Sequence, residues 1–347
     1  MIYKLLGKSG LRVSELCLGT MTFGEDWGWG SSKDESRKVF DRYVESGGNF
    51  IDTANLYTTG TSERYVGEFI ASGRQKFVLA TKYSLSMRKE DPNGGGNSRK
   101  NMVQAVEASL KRLKTNYIDL YWLHAWDYMT PVEEVMRGLD DLVRAGKILY
   151  IGISDAPAWV VSRANTMAEL MGWTQFVGLQ IRYSLIDRAV ERDLIPMARE
   201  MDIAVTPWAV LGSGVLTGKF TRPESGDQSM RHKDKKTGEG ILSERNMTIA
   251  REVDTIADEI GKSSSQVALS WLRQQPGNII PILGARTESQ LKDNLGCLDI
   301  ELSSGHLNKL SEVSQIELGF PHDFLREEFI KDLLYGDEKN NIVNHRN

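Results

Sequence analysis

The sequence has little cysteine, no long apolar run and no strong excess of charge, and each absence excludes a class of protein. Its two cysteines, Cys17 and Cys297, are too few for a disulfide scaffold in a chain of 347 residues. We expect both to be reduced thiols in apolar surroundings. No apolar run reaches the roughly 18 residues that a membrane-spanning helix needs. A net charge of −4 gives no basic surface for nucleic acid.

The first eight residues lack the apolar core of a signal peptide. With an isoelectric point of about 5.9, the chain reads as a cytoplasmic protein that binds neither nucleic acid nor membrane. Nothing in the sequence excludes an oligomer.

Short apolar runs alternate with helical patterns along most of the chain. The runs predict eight strands, at 16–19, 49–52, 77–82, 117–124, 148–154, 177–181, 203–208 and 279–283. Strands that are apolar throughout favour a buried parallel sheet. Eight such units predict a (β/α)8 barrel of one domain spanning residues 1–347. A doubly wound open sheet is the alternative, but it requires a Gly-x-Gly-x-x-Gly turn that residues 19–24 do not match.

Three segments fall outside the repeat. Residues 3–13 predict a hairpin that covers the barrel floor. Residues 221–240 are polar, as are 89–100, and both predict flexible loops. Residues 320–347 predict a C-terminal extension, with an amphipathic helix at 324–335 and a disordered polar end.

Four polar side chains lie at or just past the ends of predicted strands: Asp52, Tyr57, Lys82 and His124. A (β/α)8 barrel carries its chemistry at these strand ends. Taken singly, each has an ordinary structural explanation, such as a turn cap for Asp52 or a core histidine for His124. Four together at separate strand ends favour a catalytic site. The sequence gives no pattern of metal ligands.

Several motifs resemble the aldo-keto reductase superfamily, and the resemblance covers roughly residues 1–315. Residues 48–57 read Gly-Asn-Phe-Ile-Asp-Thr-Ala-Asn-Leu-Tyr, and Lys82 and His124 fall at the expected places. Residues 280–286, followed by Gln290 and Asn294, resemble the adenosine-phosphate site of the superfamily. Residues 152–159, Gly-Ile-Ser-Asp-Ala-Pro-Ala-Trp, look most like the aryl-alcohol dehydrogenase branch.

The resemblance implies reversible reduction of an aldehyde or ketone, with NADP(H) as the cofactor. Tyr57 would donate the proton to the carbonyl oxygen, and His124 would orient that oxygen. A free phenol has a pKa near about 10 and donates poorly at neutral pH. A cation beside it stabilises the phenolate, so we expect Lys82, held by Asp52, to lower the pKa of Tyr57.

The resemblance also implies which residues bind NADP(H). They are Gly19, Thr20, Met21, Asp52, Ser154, Gln180, Trp208, Leu211, Gly212, Lys219, Gly284, Arg286, Gln290 and Asn294. The planar fork of Arg286 suits the 2′-phosphate that distinguishes NADP from NAD. The chain departs from the pattern at Asp155, where asparagine is common, and at Val210, where many relatives have proline. A carboxylate cannot donate to the oxygen of the nicotinamide carboxamide.

Four aromatic residues, Trp27, Trp29, Trp126 and Tyr128, lie in loops predicted to open on the active face. They would suit a bulky or aromatic substrate. The alternative is that they pack one loop against another.

Two other functions stay open at this point. The superfamily includes potassium-channel β-subunits, which would make the chain a binding module. A Schiff-base aldolase acting through Lys82 is the other, and it would need that lysine to have a lowered pKa.

Overall fold

The computed structural model describes residues 1–222 and 240–344. The strands in this part of the chain are β1 (Tyr3–Leu5), β2 (Arg12–Ser14), β3 (Cys17–Gly19), β4 (Phe50–Asp52), β5 (Val78–Tyr83), β6 (Ile118–Leu123), β7 (Ile148–Ser154), β8 (Phe176–Arg182), β9 (Ala204–Trp208) and β10 (Ile282–Gly284). Strands β3 to β10 form an eight-stranded sheet in the order β10-β3-β4-β5-β6-β7-β8-β9. Every pairing in this sheet is parallel.

The sheet closes between its two edge strands. The backbone N–H of Val205 in β9 donates to the Asn278 carbonyl at 2.8 Å, and the Ile280 N–H donates back to Val205 at 2.8 Å. These bonds lie just before β10 and bring it beside β9. The (β/α)8 barrel predicted from the apolar runs is therefore confirmed, and the open sheet is excluded.

Helices follow the barrel strands and cover their outer face. They are α1 (Lys33–Glu45), α2 (Thr61–Ile70), α3 (Arg99–Leu113), α4 (Val132–Arg144), α5 (Ala158–Met171), α6 (Leu194–Glu200), α7 (Glu244–Ile260), α8 (Ser264–Arg273), α9 (Glu288–Leu295), α10 (Ser304–Val313), α11 (His322–Arg326) and α12 (Glu328–Tyr335). Side-chain caps begin several of them: Ser32 accepts from the Glu35 N–H before α1, and Thr287 accepts from the Gln290 N–H before α9. Such caps satisfy N–H groups that lack a partner in the first turn.

A separate apolar cluster fills the barrel interior and is closed below by the predicted hairpin. Strands β1 and β2 pair antiparallel, and Leu6 and Val13 from this hairpin join the interior cluster. The largest interior side chain is Trp122, which is fully buried. It fits because the next two strands, β7 and β8, carry Gly152 and Gly178, where an added Cβ would lie 2.3 Å and 2.7 Å from the indole.

The segments outside the repeat are only partly described. Of the predicted loop 221–240, residues 223–239 lie outside the described residues. The C-terminal extension contains α11 and α12 as a helical piece, followed by 3-10 turns at Gly336–Asn341. Disorder at the chain end stays a prediction, and residues 345–347 are not described.

Both cysteines are buried free thiols. No helix in the described ranges is long and apolar enough to cross a membrane. The same residues contain no group of three or more histidine, cysteine or acidic side chains placed to hold a metal ion.

Candidate active site

The four residues predicted from strand ends meet at the C-terminal end of the barrel. Asp52 ends β4, Lys82 lies near the end of β5, His124 follows β6, and Tyr57 begins a 3-10 turn after β4. The Lys82 ammonium donates to Asp52 Oδ2 and, at 3.1 Å, to the Tyr57 hydroxyl oxygen. The Tyr57 and His124 rings are nearly perpendicular, with centroids 5.9 Å apart.

The Lys82 ammonium has a partner for each of its three N–H bonds. Besides Asp52 and Tyr57, it donates to the Thr53 carbonyl oxygen at 2.8 Å. An ammonium has three donors and no acceptor, so this set satisfies it completely. The Lys82 side chain is 0 % exposed and that of Asp52 is 3 % exposed. The other oxygen of Asp52 accepts from Gln180 Nε2 at 3.0 Å. The ion pair is therefore buried away from solvent, and each partner forms hydrogen bonds with more than one residue.

The pKa values of Lys82, Asp52 and Tyr57 are all raised, by different balances of burial and charge. Burial opposes the charge on Lys82, but the Asp52 carboxylate and the Tyr57 phenol outweigh it, so the pKa of Lys82 is raised. Burial also raises the pKa of Asp52, against the opposing effect of Lys82. The pKa of Tyr57 is raised chiefly by burial, and Lys82 acts to lower it. The effect of Lys82 on the pKa of Tyr57 therefore has the predicted direction. The net change in that pKa is opposite to the one that we expected from Lys82 alone.

His124 is placed as a neutral imidazole beside Tyr57. Burial, followed by the Lys82 charge, lowers the pKa of His124 well below its usual value. Its Nδ1 is buried and has no hydrogen-bond partner among the described residues. The backbone N–H of His124 donates to Ser84 Oγ at 3.0 Å, which fixes the start of this loop. A neutral imidazole keeps one donor and one acceptor, so it can hydrogen-bond a substrate oxygen without adding charge.

Two of the predicted cofactor residues, Gln180 and Trp208, form side-chain contacts that the sequence did not predict. Ser154 is buried at the end of β7. Trp208 ends β9, and its indole N–H donates to Asp155 Oδ1 at 3.1 Å. Gln180 is buried and donates to Asp52. Asp155, which departs from the pattern of the resemblance, is thus hydrogen-bonded to Trp208, one of the residues predicted to bind the cofactor.

At the other end of the rim, the predicted adenosine residues cluster only in part. Gln290 Oε1 accepts from the Arg286 backbone N–H at 2.9 Å, which ties the loop after β10 to α9. Gln290 is exposed. Asn294, four residues on, is 5 % exposed and faces the protein. Of these two residues predicted to bind the cofactor, Gln290 is therefore exposed and Asn294 is buried.

The donor set of the rim fits a phosphorylated cofactor. Lys219 follows β9 and Arg286 follows β10, so cations lie on two loops at the same end of the barrel. Gly284 is exposed, and nothing lies within 4 Å of where its Cβ would be. Ammonium and guanidinium groups beside an open backbone suit phosphate oxygens. Gly212, which precedes Lys219 in the loop after β9, has a φ of 55°, a conformation that glycine adopts readily. Leu211 beside it is half-buried against the core.

The remaining predicted cofactor residues lie in and after β3. Gly19 ends β3 and is buried. Thr20 is also buried, and its hydroxyl donates to the Asp52 carbonyl at 2.9 Å. Met21 is half-buried. Thr20 therefore braces the backbone that carries Asp52.

The four aromatic residues predicted for the substrate pocket differ in their surroundings. Trp27 and Trp29 contact each other within the loop after β3, with ring centroids 5.5 Å apart. Trp126 packs against the main core. Tyr128 is 71 % exposed.

Two groups that position site residues, the Thr53 carbonyl and the Ser84 hydroxyl, were not predicted from the sequence. The Thr53 carbonyl that holds Lys82 is a backbone atom, and no residue type signals it. Ser84 accepts from the N–H groups of His124 and Ala125, at 3.0 Å and 3.2 Å. Its place two residues after Lys82 was the available signal, because this puts it at the same end of the barrel.

Comparison with known proteins shows the family to which this chain belongs. The model of the aldo/keto reductase family matches residues 15–315. The norsolorinic acid reductase stcV of Emericella nidulans is 39% identical over 329 residues, which cover 92% of this chain and 83% of that protein. The aryl-alcohol dehydrogenase [NADP(+)] of Phanerodontia chrysosporium is 37% identical over 359 residues, covering 97% of this chain and 89% of that protein. Another aryl-alcohol dehydrogenase, from Pestalotiopsis microspora, is 37% identical over 93% of this chain and 85% of its own length. The resemblance inferred from motifs is confirmed, and this chain belongs to the aldo/keto reductase family, in its aryl-alcohol dehydrogenase-like branch.

Proposed function

We propose that this protein reduces an aldehyde or ketone to the alcohol with NADPH, and that Tyr57 is the general acid. The observation that carries the proposal is the chain of contacts from Asp52 through Lys82 to the Tyr57 hydroxyl. Family membership supports the coarser statement that the protein is an oxidoreductase.

Carbonyl reduction needs a hydride on carbon and a proton on oxygen. The hydride comes from the nicotinamide cofactor when it is bound. In our proposal the proton leaves the Tyr57 hydroxyl, and the adjacent Lys82 ammonium stabilises the phenolate that remains. In the same proposal, the neutral His124 forms a hydrogen bond with the carbonyl oxygen. Its buried Nδ1 has no hydrogen-bond partner among the described residues.

The choice of NADP(H) rests on indirect support. A relative is named an NADP(+)-dependent aryl-alcohol dehydrogenase. Arg286 follows β10 at the rim, where its fork would pair with a 2′-phosphate. The names of the relatives also favour an aromatic carbonyl substrate, to which Trp27 and Trp29 would offer their rings.

Tyr57→Phe tests the proposal, because it keeps the ring and removes the proton donor. We expect turnover of an aromatic aldehyde to fall by about 10²–10⁴-fold, the usual contribution of general acid catalysis. The dissociation constant for NADPH should stay close to that of the wild type. Tyr117→Phe is the matched control, since Tyr117 precedes β6 at the opposite end of the barrel and stacks on Arg74. A Tyr57→Phe enzyme that keeps more than about a third of wild-type turnover, with chemistry rate-limiting, would exclude Tyr57 as the acid.

A further inference from the structure

Asp155 occupies a fixed position between the loops that surround the active face. Its backbone N–H donates to the Gln180 carbonyl at 3.2 Å, and its carbonyl accepts from the Trp126 N–H at 3.3 Å. Its Oδ1 accepts from the Trp208 indole at 3.1 Å. Its φ is 44°, in the left-handed region that asparagine and aspartate tolerate best among residues with a side chain. The carboxylate is therefore held in one place by backbone and side-chain contacts.

We propose that Asp155 is a positioning residue that fixes the indole of Trp208 and opposes, through its negative charge, the formation of the Tyr57 phenolate. This inference rests on the proposed function, because it concerns how readily Tyr57 exchanges its proton. Reduction uses the phenol of Tyr57 as the acid, whereas alcohol oxidation uses the phenolate as the base. A negative charge nearby therefore moves the onset of alcohol oxidation to a higher pH.

The charges around Tyr57 support this direction. Burial raises the pKa of Tyr57 most, Lys82 lowers it, and Asp52 and Asp155 both raise it. Asp52 forms a direct ion pair with Lys82. Asp155 instead accepts a hydrogen bond from the neutral indole of Trp208.

The groups that act on Asp155 lie on other strands of the barrel, β5, β8 and β9. Burial raises the pKa of Asp155, and the hydrogen bond from Trp208 and the charges of Lys82 and Arg182 oppose that rise. Arg182, at the end of β8, also forms an ion pair with Asp187 and lies over the Trp208 ring. His124, after β6, is neutral because burial lowers its pKa, and so contributes no charge.

Asp155→Asn removes the charge and keeps the shape. The amide oxygen can still accept from the Trp208 indole, and asparagine tolerates the positive φ. Asp26→Asn is the matched control. Asp26 is exposed in the loop after β3, at the same end of the barrel, and its Oδ1 accepts from the Thr61 hydroxyl at 3.0 Å. The same chemical change there removes a charge that water and salt already screen.

Two measurements report the charge effect. The first is the pH dependence of kcat/KM for alcohol oxidation, which follows the free enzyme. The second is the ultraviolet absorption of the Tyr57 phenolate during a pH titration without cofactor, obtained by subtracting the Tyr57→Phe protein in each background. We expect Asp155→Asn to move both curves to lower pH, and Asp26→Asn to leave both unchanged. An absent or opposite shift, in an enzyme whose turnover Tyr57→Phe abolishes, overturns the inference and leaves the proposed function intact.

The anchoring of the indole is tested separately. Asp155→Ala removes the acceptor as well as the charge, and we expect it to weaken NADPH binding by roughly 2- to 12-fold relative to Asp155→Asn, the size of one hydrogen bond. Trp208→Phe removes the donor without placing alanine at a positive φ. If the bond is the cause, the double variant Asp155→Ala/Trp208→Phe loses no more than Trp208→Phe alone. Additive losses would show that Asp155 and Trp208 act independently and would overturn the anchor.

Discussion

Replacing Lys82 with methionine should destabilise the protein because it leaves a buried carboxylate alone. Methionine has about the length of lysine, so the packing is largely kept. The substitution removes the ammonium that contacts Asp52, the Thr53 carbonyl and the Tyr57 hydroxyl. Asp52 is then left with Gln180 as the donor to its side chain. Its side chain is 3 % exposed, so water cannot replace the lost partner.

The cost follows from this burial. Removing one partner of a buried ion pair typically costs about 3–5 kcal/mol, because the other charge is left uncompensated. Asp52→Asn in the same chain removes that charge and keeps an oxygen for Gln180. The double variant Lys82→Met/Asp52→Asn should therefore regain most of the lost free energy of unfolding, although it should remain as inactive as Lys82→Met.

The loss should also depend on pH in a definite direction. Burial raises the pKa of Asp52 and the Lys82 charge lowers it, so removing the lysine raises it further. A carboxyl whose pKa is higher in the folded than in the unfolded state binds its proton more tightly when folded. The loss of unfolding free energy in Lys82→Met should be smallest below the pKa of Asp52 in the unfolded state, about 3.9. It should grow as pH rises toward the pKa of Asp52 in the folded variant.

Urea unfolding at several pH values measures these free energies, with turnover measured on the same preparations. Lys38→Met is the matched control, since Lys38 pairs with Glu35 on the surface, where its side chain is 61 % exposed. Exposed pairs contribute little, so this control should unfold like the wild type at every pH. The reasoning is refuted if Lys82→Met is as stable as the wild type at neutral pH, or if the double variant is no more stable than Lys82→Met.

Two further predictions concern the substrate and the cofactor. His124→Ala should lower kcat severely, because it removes the neutral side chain proposed to orient the carbonyl. Steady-state kinetics with an aromatic aldehyde measure this effect, and an unchanged kcat would contradict the role. Arg286→Ala should weaken NADPH binding by roughly 10- to 150-fold, the size of a charge-assisted contact, while NADH, which lacks the 2′-phosphate, should be affected much less. Dissociation constants for both cofactors measure this effect. The difference between NADPH and NADH should shrink at high salt, because salt screens the contact. Equal losses for the two cofactors would mean that Arg286 supports its loop instead.

The sequence predicted the barrel well because the signal for each strand is local. The run at 77–82 corresponds to β5 (Val78–Tyr83), and the run at 148–154 to β7 (Ile148–Ser154). The last strand was the least accurate, predicted at 279–283 and observed at Ile282–Gly284. Its first residues bond to β9 as an isolated bridge, so the apolar run is longer than the ladder that it forms.

The candidate site was predictable only as far as position along a strand determines it. In a parallel barrel, the ends of neighbouring strands meet, so Asp52 and Lys82 were expected to lie close together. The contact between Asp155 and Trp208 joins the ends of β7 and β9, which are not neighbours in the sheet. It depends on a positive φ at Asp155 and on the direction of an indole, and neither follows from residue spacing. The net direction of the pKa shift at Tyr57 was also not predicted, because burial outweighs the effect of the Lys82 charge.

The three contacts of Lys82 also distinguish between the two kinds of enzyme that its position allowed. A Schiff-base lysine attacks through a lone pair, so it must lose a proton, and its pKa must be lowered to do so. Here Asp52 and Tyr57 outweigh burial and raise that pKa. Deprotonation would leave the Asp52 carboxylate buried beside a neutral amine, at a cost similar to that of removing the lysine. The same contacts that oppose the loss of a proton from Lys82 hold its charge against the Tyr57 hydroxyl, as the proposed electrostatic role requires.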